Sequence, residues 1–399
     1  MMLVSIVSYV DRTTLALLAP TILADLRLSA EQYGWVISAF SICYTVSNPA
    51  WGAALDRVGL RLGMAAAVAI WTAASASHAL ASGLMGLAFA RALLGLGEGA
   101  TFPGGLRAAT QTLPEHLRSR GVAIAYGGGS LGAVLTPFLV TPVAITYGWR
   151  GAFVATGLLG ASWIALWLAI APAAASQTAR FAESATSPAV ADSSRPALFG
   201  DGRMAAFIGL YALGGLPLGF VLYGAPLYLA RALGQSQHAL GTLLWIPPVG
   251  WELGYIATGW LVDVRARSQA GERAVVSPGL LCAAACVGAP LAVVPLVRGL
   301  ALPMVAFFLS TLAAGAFIIL GLEYATRQFG VRHAGLLAGL GAGSWSALMA
   351  VAMPAFGRLF DRGRFGAAFA LAGLAQTAGV ALWVALEKAR PRGVSRARS

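Results

Sequence analysis

Residues 52–61 read G-A-A-L-D-R-V-G-L-R and join two long apolar stretches, 32–55 and 62–82. Glycine lets neighbouring helices approach closely. The charged residues Asp56, Arg57 and Arg61 fall together between the two stretches, where a chain that leaves a membrane needs a polar turn. The segment therefore predicts two membrane helices joined by a short charged turn at the membrane surface.

The whole chain has the composition of a membrane protein. Of its 399 residues, 58% are hydrophobic and 11% are charged, and the mean hydropathy is +0.75, whereas roughly a quarter of the residues in a soluble domain are charged. The net charge of +12 comes from basic residues in short runs between apolar segments, as in cytoplasmic loops. A nucleic-acid binder would cluster them on one face or arm, so we expect no nucleic-acid partner.

Twelve apolar stretches are long enough to cross a bilayer, which needs roughly 20 residues each. They cover residues 2–24, 32–55, 62–82, 84–106, 120–142, 148–172, 204–229, 239–262, 275–297, 300–323, 334–357 and 365–387. The Ala/Ser/Pro-rich segment 173–203 resembles a flexible linker. We therefore predict an all-α membrane protein with a six-helix bundle in 1–172, a cytoplasmic linker in 173–203, a second six-helix bundle in 204–388 and a basic cytoplasmic tail in 389–399.

The distribution of basic residues predicts the orientation. With both termini in the cytoplasm, eighteen of the 27 lysines and arginines fall in inner segments and seven in outer loops. This bias predicts a multi-pass protein of the cell inner membrane with both termini cytoplasmic. The outer turn G-R-L-F-D-R-G-R, 357–364, departs from the bias because it carries three of the seven.

Four charged residues of the first half lie well inside predicted helices. Asp11 and Arg12 are adjacent in the first helix, and Arg91 and Glu98, seven residues apart, share one face of the fourth. A charge at mid-membrane costs on the order of 3 kcal/mol, so such residues normally face a water-filled cavity or a partner. The four side chains could simply neutralise one another, and that arrangement is also compatible with function, because substrate or a proton can open such pairs.

Five motifs together resemble a known transporter family. They are Y-x-D-R, 9–12; I-S-A-F-S-I-C-Y-T-V-S-N-P, 37–49; G-x-x-x-D-R-x-G-x-R, 52–61; L-G-L-G-E-G-A-T-F-P-G, 94–104; and Y-G-W-R-G-A-F, 147–153. The third is similar to the loop signature of the major facilitator superfamily. The set is similar to its anion:cation symporter family, and most of all to the hexuronate and sugar-acid transporters. The resemblance is specific over roughly residues 9–165 and implies the twelve-helix major facilitator fold.

The resemblance implies uptake of a small organic anion together with protons. It identifies Asp11 and Glu98 as protonatable acids, and Arg12, Arg91 and Tyr44 as groups that contact the substrate. The chemistry of these residue types is consistent with the roles that the resemblance implies. An anion in a low-dielectric site needs a cation to replace its lost hydration, and a carboxyl group in such a site is favoured in its neutral form.

The second predicted helix offers one more candidate for substrate binding. Tyr44, Asn48 and Trp51 follow helical spacing and form one stripe. As the lining of a pocket they would hydrogen-bond sugar hydroxyls, and as ordinary core residues they need no ligand. Asn48 therefore joins Tyr44 as a predicted binding residue.

The remaining candidates concern gating and the second half. The family's loop signature implies that Asp56, Arg57 and Arg61 form a gate between the halves, and Asp263 closes the similar segment G-W-L-V-D, 259–263. Glu252, in W-E-L-G-Y of the eighth helix, departs from the family pattern. It is either an additional proton-coupling site or a residue that pairs with a partner elsewhere in the chain.

Enzymatic chemistry has no support in the sequence. We find no G-K-[ST] nucleotide loop, no catalytic triad and no metal-ligand spacing among the three cysteines. We therefore expect no enzyme activity, cofactor or metal. We predict that the chain is a monomer. Its predicted partners are a small organic anion, protons and the lipid bilayer. The alternatives are a proton-driven exporter of drugs or metabolites and a non-transporting sensor or scaffold with the same fold.

Overall fold

The computed structural model describes residues 1–171, 201–268, 276–330 and 333–388. Within these ranges the chain forms helices and turns, with no strand. The predicted tail, 389–399, and nearly all of the predicted linker, 173–203, lie outside the described residues. The prediction of an all-α fold is confirmed for the described part of the chain.

Thirteen α-helices make up the described structure. They are α1 Met2–Asp25, α2 Ala30–Val58, α3 Leu60–Ser77, α4 Leu84–Glu98, α5 Thr101–Thr112, α6 Glu115–Ile170, α7 Gly202–Arg231, α8 Gln237–Leu243, α9 Ile246–Ser268, α10 Pro278–Gly288, α11 Ala301–Phe329, α12 Ala334–Asp361 and α13 Phe365–Lys388. Short 3₁₀ segments follow α3 at His78–Leu80 and α10 at Ala289–Leu296.

Each of the twelve predicted stretches falls on helical structure. Among the described residues, eight helices have the length and apolar character needed to cross a membrane. The fourth stretch is divided between α4 and α5, and the eighth between α8 and α9. In the ninth, Pro290 and Pro295 lie in the 3₁₀ segment after α10, where proline rings do not support regular α-helical hydrogen bonding.

The fifth and sixth stretches form two helical segments, as predicted, and both lie within α6, Glu115–Ile170. The predicted turn between them is reduced to one non-helical residue. The chain changes direction at Gly148, whose φ of 72° and ψ of 173° are not helical. Only glycine readily adopts this conformation, so a single residue makes the turn that we expected 143–147 to make.

Helix α2 begins at a capping box. The Ser29 hydroxyl accepts a bond from the Gln32 backbone N–H at 3.0 Å, and the Gln32 side chain accepts one from the Ser29 N–H at 2.9 Å. The reciprocal bonds satisfy two of the donors that the start of a helix leaves open. They fix the beginning of the helix that carries Tyr44 and Asn48.

The helices pack in two groups that meet along a shared core. In the first group α1 and α3 pack on α6, and α2 packs on α4; in the second, α11 and α13 pack on α7, and α9 on α11. Across the two groups α2 contacts α12, α1 contacts α7 and α6 contacts α9. One hydrophobic cluster contains residues of both groups, including Leu18, Trp149, Phe220 and Phe356.

Candidate functional site

Four charged side chains carried by the first group of helices are deeply buried. The exposed fractions are 1% for Asp11, 4% for Arg12, 2% for Arg91 and 0% for Glu98. They are the Asp, Glu, Lys and Arg residues of the described chain that are buried to this degree. Helices α1 and α4 carry all four, and none of them faces lipid. In this conformation the described helices shield all four side chains from solvent.

Arg12 and Glu98 form a buried ion pair. The Arg12 Nε and Nη2 atoms lie 3.1 and 2.7 Å from the Glu98 Oε2 atom. Aromatic rings surround the guanidinium group, whose central carbon lies 4.6 Å from the ring centre of Tyr9, 4.7 Å from Phe40 and 4.9 Å from Tyr44. Ring faces attract a cation, so the arginine stays stabilised when its bond to the carboxylate is broken.

Arg91 has no carboxylate partner among the described residues. Its Nη2 atom donates to the Arg12 backbone oxygen at 2.9 Å, and its buried Nε atom has no hydrogen-bond partner. The described ion pairs do not include it. A buried charge without a partner is costly. A bound anion would remove that cost, and a guanidinium group is suited to a carboxylate.

Asp11 faces away from the arginine that follows it in the sequence. The Ser75 hydroxyl on α3 donates to Asp11 Oδ1 at 2.6 Å, and lies 2.8 Å from the Thr156 hydroxyl on α6. Successive residues on a helix point about 100° apart, so Asp11 and Arg12 meet different neighbours. Of the possible neutralising pairs, the structure contains Arg12–Glu98.

The predicted stripe on α2 is divided between two environments. Tyr44 is 4% exposed, stacks on Phe40 with ring centres 5.5 Å apart, and its buried hydroxyl has no hydrogen-bond partner. Asn48 is half-buried one turn further along. Trp51 donates to the Leu96 backbone oxygen at 2.7 Å. Tyr44 therefore lies beside the charged cluster, whereas Trp51 attaches α2 to α4.

Two of the predicted gate residues make contacts inside the first group of helices. Asp56 pairs with Arg107 of α5. Arg61 donates to the Leu168 backbone oxygen at 2.7 Å, and its own backbone oxygen accepts from Trp167 at 2.9 Å. In this conformation the described contacts of Asp56 and Arg61 hold the ends of α2, α3, α5 and α6 together.

The other candidates make no hydrogen bond or ion pair with the four buried charges among the described contacts. Arg57 and Asp263 are exposed at the ends of α2 and α9. Glu252 is half-buried on α9 and accepts a hydrogen bond from Ser130 of α6, so it joins the two groups of helices. The described residues contain no group of three or more His, Cys, Asp or Glu side chains placed to hold a metal ion.

Sequence reasoning missed several neighbours of the charged cluster. Tyr9 and Phe40 contact Arg12, and their positions three residues before Arg12 and four before Tyr44 could have indicated shared helix faces. No pattern in the sequence indicated Ser75 or Thr156, because they reach Asp11 from other helices.

The comparison of sequences decides the family. The chain matches the Major Facilitator Superfamily over residues 1–346. The chain belongs to that superfamily. It is a multi-pass membrane protein of a transporter family and not an enzyme, and the predicted family resemblance is confirmed.

Several curated relatives of this major facilitator protein are sugar-acid transporters by name. It is 37% identical to the galacturonate transporter of Dickeya chrysanthemi over 41% of this chain and 48% of that one. It is 36% identical to the hexuronate transporter of Escherichia coli K12 over 41% and 38%. The D-galactonate transporter of Escherichia coli O6:H1 is 28% identical over 66% and 65%. The chain thus spans about half the length or less of the first two relatives.

Solved structures share the fold along nearly the whole chain. A bacterial homologue of the human lysosomal transporter Spinster, inward-facing and occupied, has a TM-score of 0.71 at 16% identity, covering 97% of this chain and 94% of that one. A D-xylose–proton symporter has a TM-score of 0.71 at 15% identity, covering 98% and 96%. The predicted major facilitator fold is confirmed by this likeness.

Proposed function

We propose that the protein is a secondary active transporter that carries a small organic anion together with protons. A sugar acid such as a hexuronate or an aldonate is the proposed substrate class. The observation that carries this proposal is Arg91, a fully buried guanidinium group with no carboxylate partner among the described residues. The names of the curated relatives support the same substrate class.

The proposed substrate site lies around Arg91 and Arg12. The substrate carboxylate would pair with the Arg91 guanidinium group, which has no carboxylate partner among the described residues. Arg12 provides a second positive charge, held between aromatic rings. The unpartnered Tyr44 hydroxyl would donate to or accept from the substrate, and Asn48, one turn away, would contact its hydroxyl groups. Arg91 supplies the net attraction, because Arg12 is already paired with Glu98.

Glu98 and Asp11 are the proposed proton carriers. Protonation of Glu98 would weaken its ion pair with Arg12 and free that arginine for the substrate, so a proton and an anion would favour each other's binding. Each elementary charge that moves inward gains about 2.3 kcal/mol per 100 mV of membrane potential. A monoanion must therefore travel with more than one proton to gain from the potential, and the buried site has two acids. Glu252 is a third candidate.

The remaining proposals concern the arrangement in the membrane. The excess of arginine at one end supports an inner-membrane protein with both termini cytoplasmic. Asp56, Arg57, Arg61 and Asp263 would then lie at the cytoplasmic end and gate it as the halves move. We propose a monomer, because the first half provides all four buried charges of the site.

Uptake by proteoliposomes tests the proposal. The purified chain is reconstituted, and accumulation of galacturonate, glucuronate, galactonate, an aldarate and an aromatic acid is followed with and without an imposed inward proton gradient. We expect at least one sugar acid to accumulate only with the gradient. Equal accumulation without it would contradict proton coupling, outward movement of substrate would favour an exporter, and binding without movement would favour a sensor.

A further inference from the structure

The end of the molecule that holds the α1–α2 turn is closed by a carboxylate from the other half. Asp361 is the last residue of α12, and its Oδ1 and Oδ2 atoms accept bonds from the backbone N–H groups of Ala30 and Glu31, both at 2.8 Å. These two N–H groups lie at the N-terminus of α2 and have no acceptor within the helix. A negative charge is favoured there because it faces the positive end of the helix dipole.

The cap works together with the helix's own capping residue. Ser29 accepts from the Gln32 N–H, so Ser29 and Asp361 between them satisfy the first three N–H groups of α2. One acceptor belongs to the same helix and stays with it in every conformation. The other belongs to the opposite half and is present only while the halves meet.

Two ion pairs surround this cap. Arg358 lies one turn before the end of α12, and its Nη2 atom is 2.5 Å from Glu31 Oε1 on α2. Arg231, at the end of α7, is 3.1 Å from Asp361 Oδ1. Arg231 holds the carboxylate from its own half, whereas Arg358 reaches across to the other. The Arg358–Glu31 pair gives one of the three arginines in the outer turn 357–364 a contact between the halves.

The backbones of α2 and α12 touch beside the cap. A β-carbon at Gly357 would lie 2.1 Å from the Ala30 backbone oxygen. No side chain fits between the helices at this point. Gly357 and Asp361 are one turn apart, so the close approach and the cap occupy the same face of α12.

We propose that Asp361, with Arg358 and Gly357, is a latch that holds the α1–α2 end of the transporter closed. The cap needs the two halves in direct contact. When the halves separate at this end, water replaces the carboxylate on α2, and the closed state loses its advantage. The inference concerns only which end is open, so it stands apart from the identity of the substrate and from proton coupling.

Asp25 provides a matched control. It lies at the same end, and its Oδ2 atom accepts bonds from Trp149 at 3.0 Å and from Arg150 at 2.9 Å. Asp25, Trp149 and Arg150 all belong to the first half. Asp25→Asn therefore removes an acid and an ion pair from this end without touching a contact between the halves.

A distance measurement between the halves tests the latch. In a full-length background with Cys43, Cys282 and Cys286 changed to alanine, spin labels are placed at Ser82 and Arg298. Both residues are exposed at this end, one on each half. We expect wild type to show mainly the shorter, closed distance. Asp361→Asn should raise the ratio of open to closed molecules about tenfold, because hydrogen bonds to a charged group are lost from the closed state alone.

The controls keep the result decisive. Gly357→Ala should shift the distances in the same direction as Asp361→Asn, and Asp25→Asn should leave them as in wild type. Unchanged distances in Asp361→Asn, or equal shifts in Asp361→Asn and Asp25→Asn, would overturn the latch. If Asp361→Asn does not elute as a monodisperse protein, Arg358→Gln replaces it. That variant should show a smaller shift in the same direction, and no shift would also overturn the proposal.

Discussion

Asp11 and Arg12 follow each other in the sequence, yet their side chains serve different parts of the buried site. Arg12 pairs with Glu98 among aromatic rings, and Asp11 binds the Ser75 hydroxyl on another helix. The sequence alone identified the residues, because a charge inside an apolar stretch stands out. It did not identify their partners, which depend on how α1, α3 and α4 rotate against one another.

Glu98 is the residue at which proton coupling can be tested alone. We expect Glu98→Gln to lose accumulation driven by a proton gradient but to keep exchange of labelled for unlabelled substrate, because glutamine has the shape of a protonated glutamic acid. Both rates are measured in proteoliposomes. Glu323→Gln is the control, since Glu323 pairs with Arg327 one turn away on α11. Continued accumulation by Glu98→Gln would remove this residue from the coupling mechanism.

Ser75 supports the buried carboxyl group of Asp11, and its loss should reduce stability. Ser75→Ala leaves Asp11 Oδ1 without this donor in an apolar interior, at a cost of about 1–3 kcal/mol. Thermal unfolding in detergent should show a lower midpoint for Ser75→Ala. Ser162→Ala should have little effect, because Ser162 is exposed and bonds only the Leu159 backbone oxygen of its own helix. Equal midpoints for Ser75→Ala and wild type would show that Asp11 does not need the bond.

In α6, the two predicted helices are present but the predicted turn between them is shorter. Apolar length predicted a turn over 143–147, and the structure instead has helical segments on both sides of one non-helical residue, Gly148. Hydrophobicity defines which residues lie in the membrane, but the turn depends on the backbone freedom of one glycine. The other stretches also fall on helical structure because apolar length acts locally, although the fourth and the eighth are each divided between two helices.

The bend at Gly148 makes a prediction for α6. A β-carbon is strained at φ 72° and ψ 173°, at a cost of about 1–3 kcal/mol. We expect Gly148→Ala to unfold at a lower temperature than wild type. Gly202→Ala is the control, because a β-carbon at Gly202 would meet no atom of the described residues within 4 Å, and its φ is not positive. A midpoint for Gly148→Ala equal to that of wild type would mean that the bend forms without glycine.

In the whole molecule, the buried charged residues are distributed unequally between the two halves. The four buried charges lie in the first half, which is also where the sequence motifs are specific. The second half contributes Glu252, joined to Ser130, and the Asp361 cap on α2. The family resemblance predicted the fold and the first-half candidates. It did not predict contacts between the halves, since these join residues more than a hundred positions apart.

The most direct test of the account is exchange of labelled galacturonate by proteoliposomes that contain wild type, Arg91→Gln or Arg150→Gln. Arg150 is the control because it is an arginine of the same half that already has a partner, Asp25. We predict exchange by wild type and Arg150→Gln, and about a 10- to 100-fold higher half-saturating concentration for Arg91→Gln, because a hydrogen bond to a charged group contributes about 1.5–3 kcal/mol. Exchange by Arg91→Gln at the wild-type concentration would contradict the claim that this buried guanidinium binds the anion.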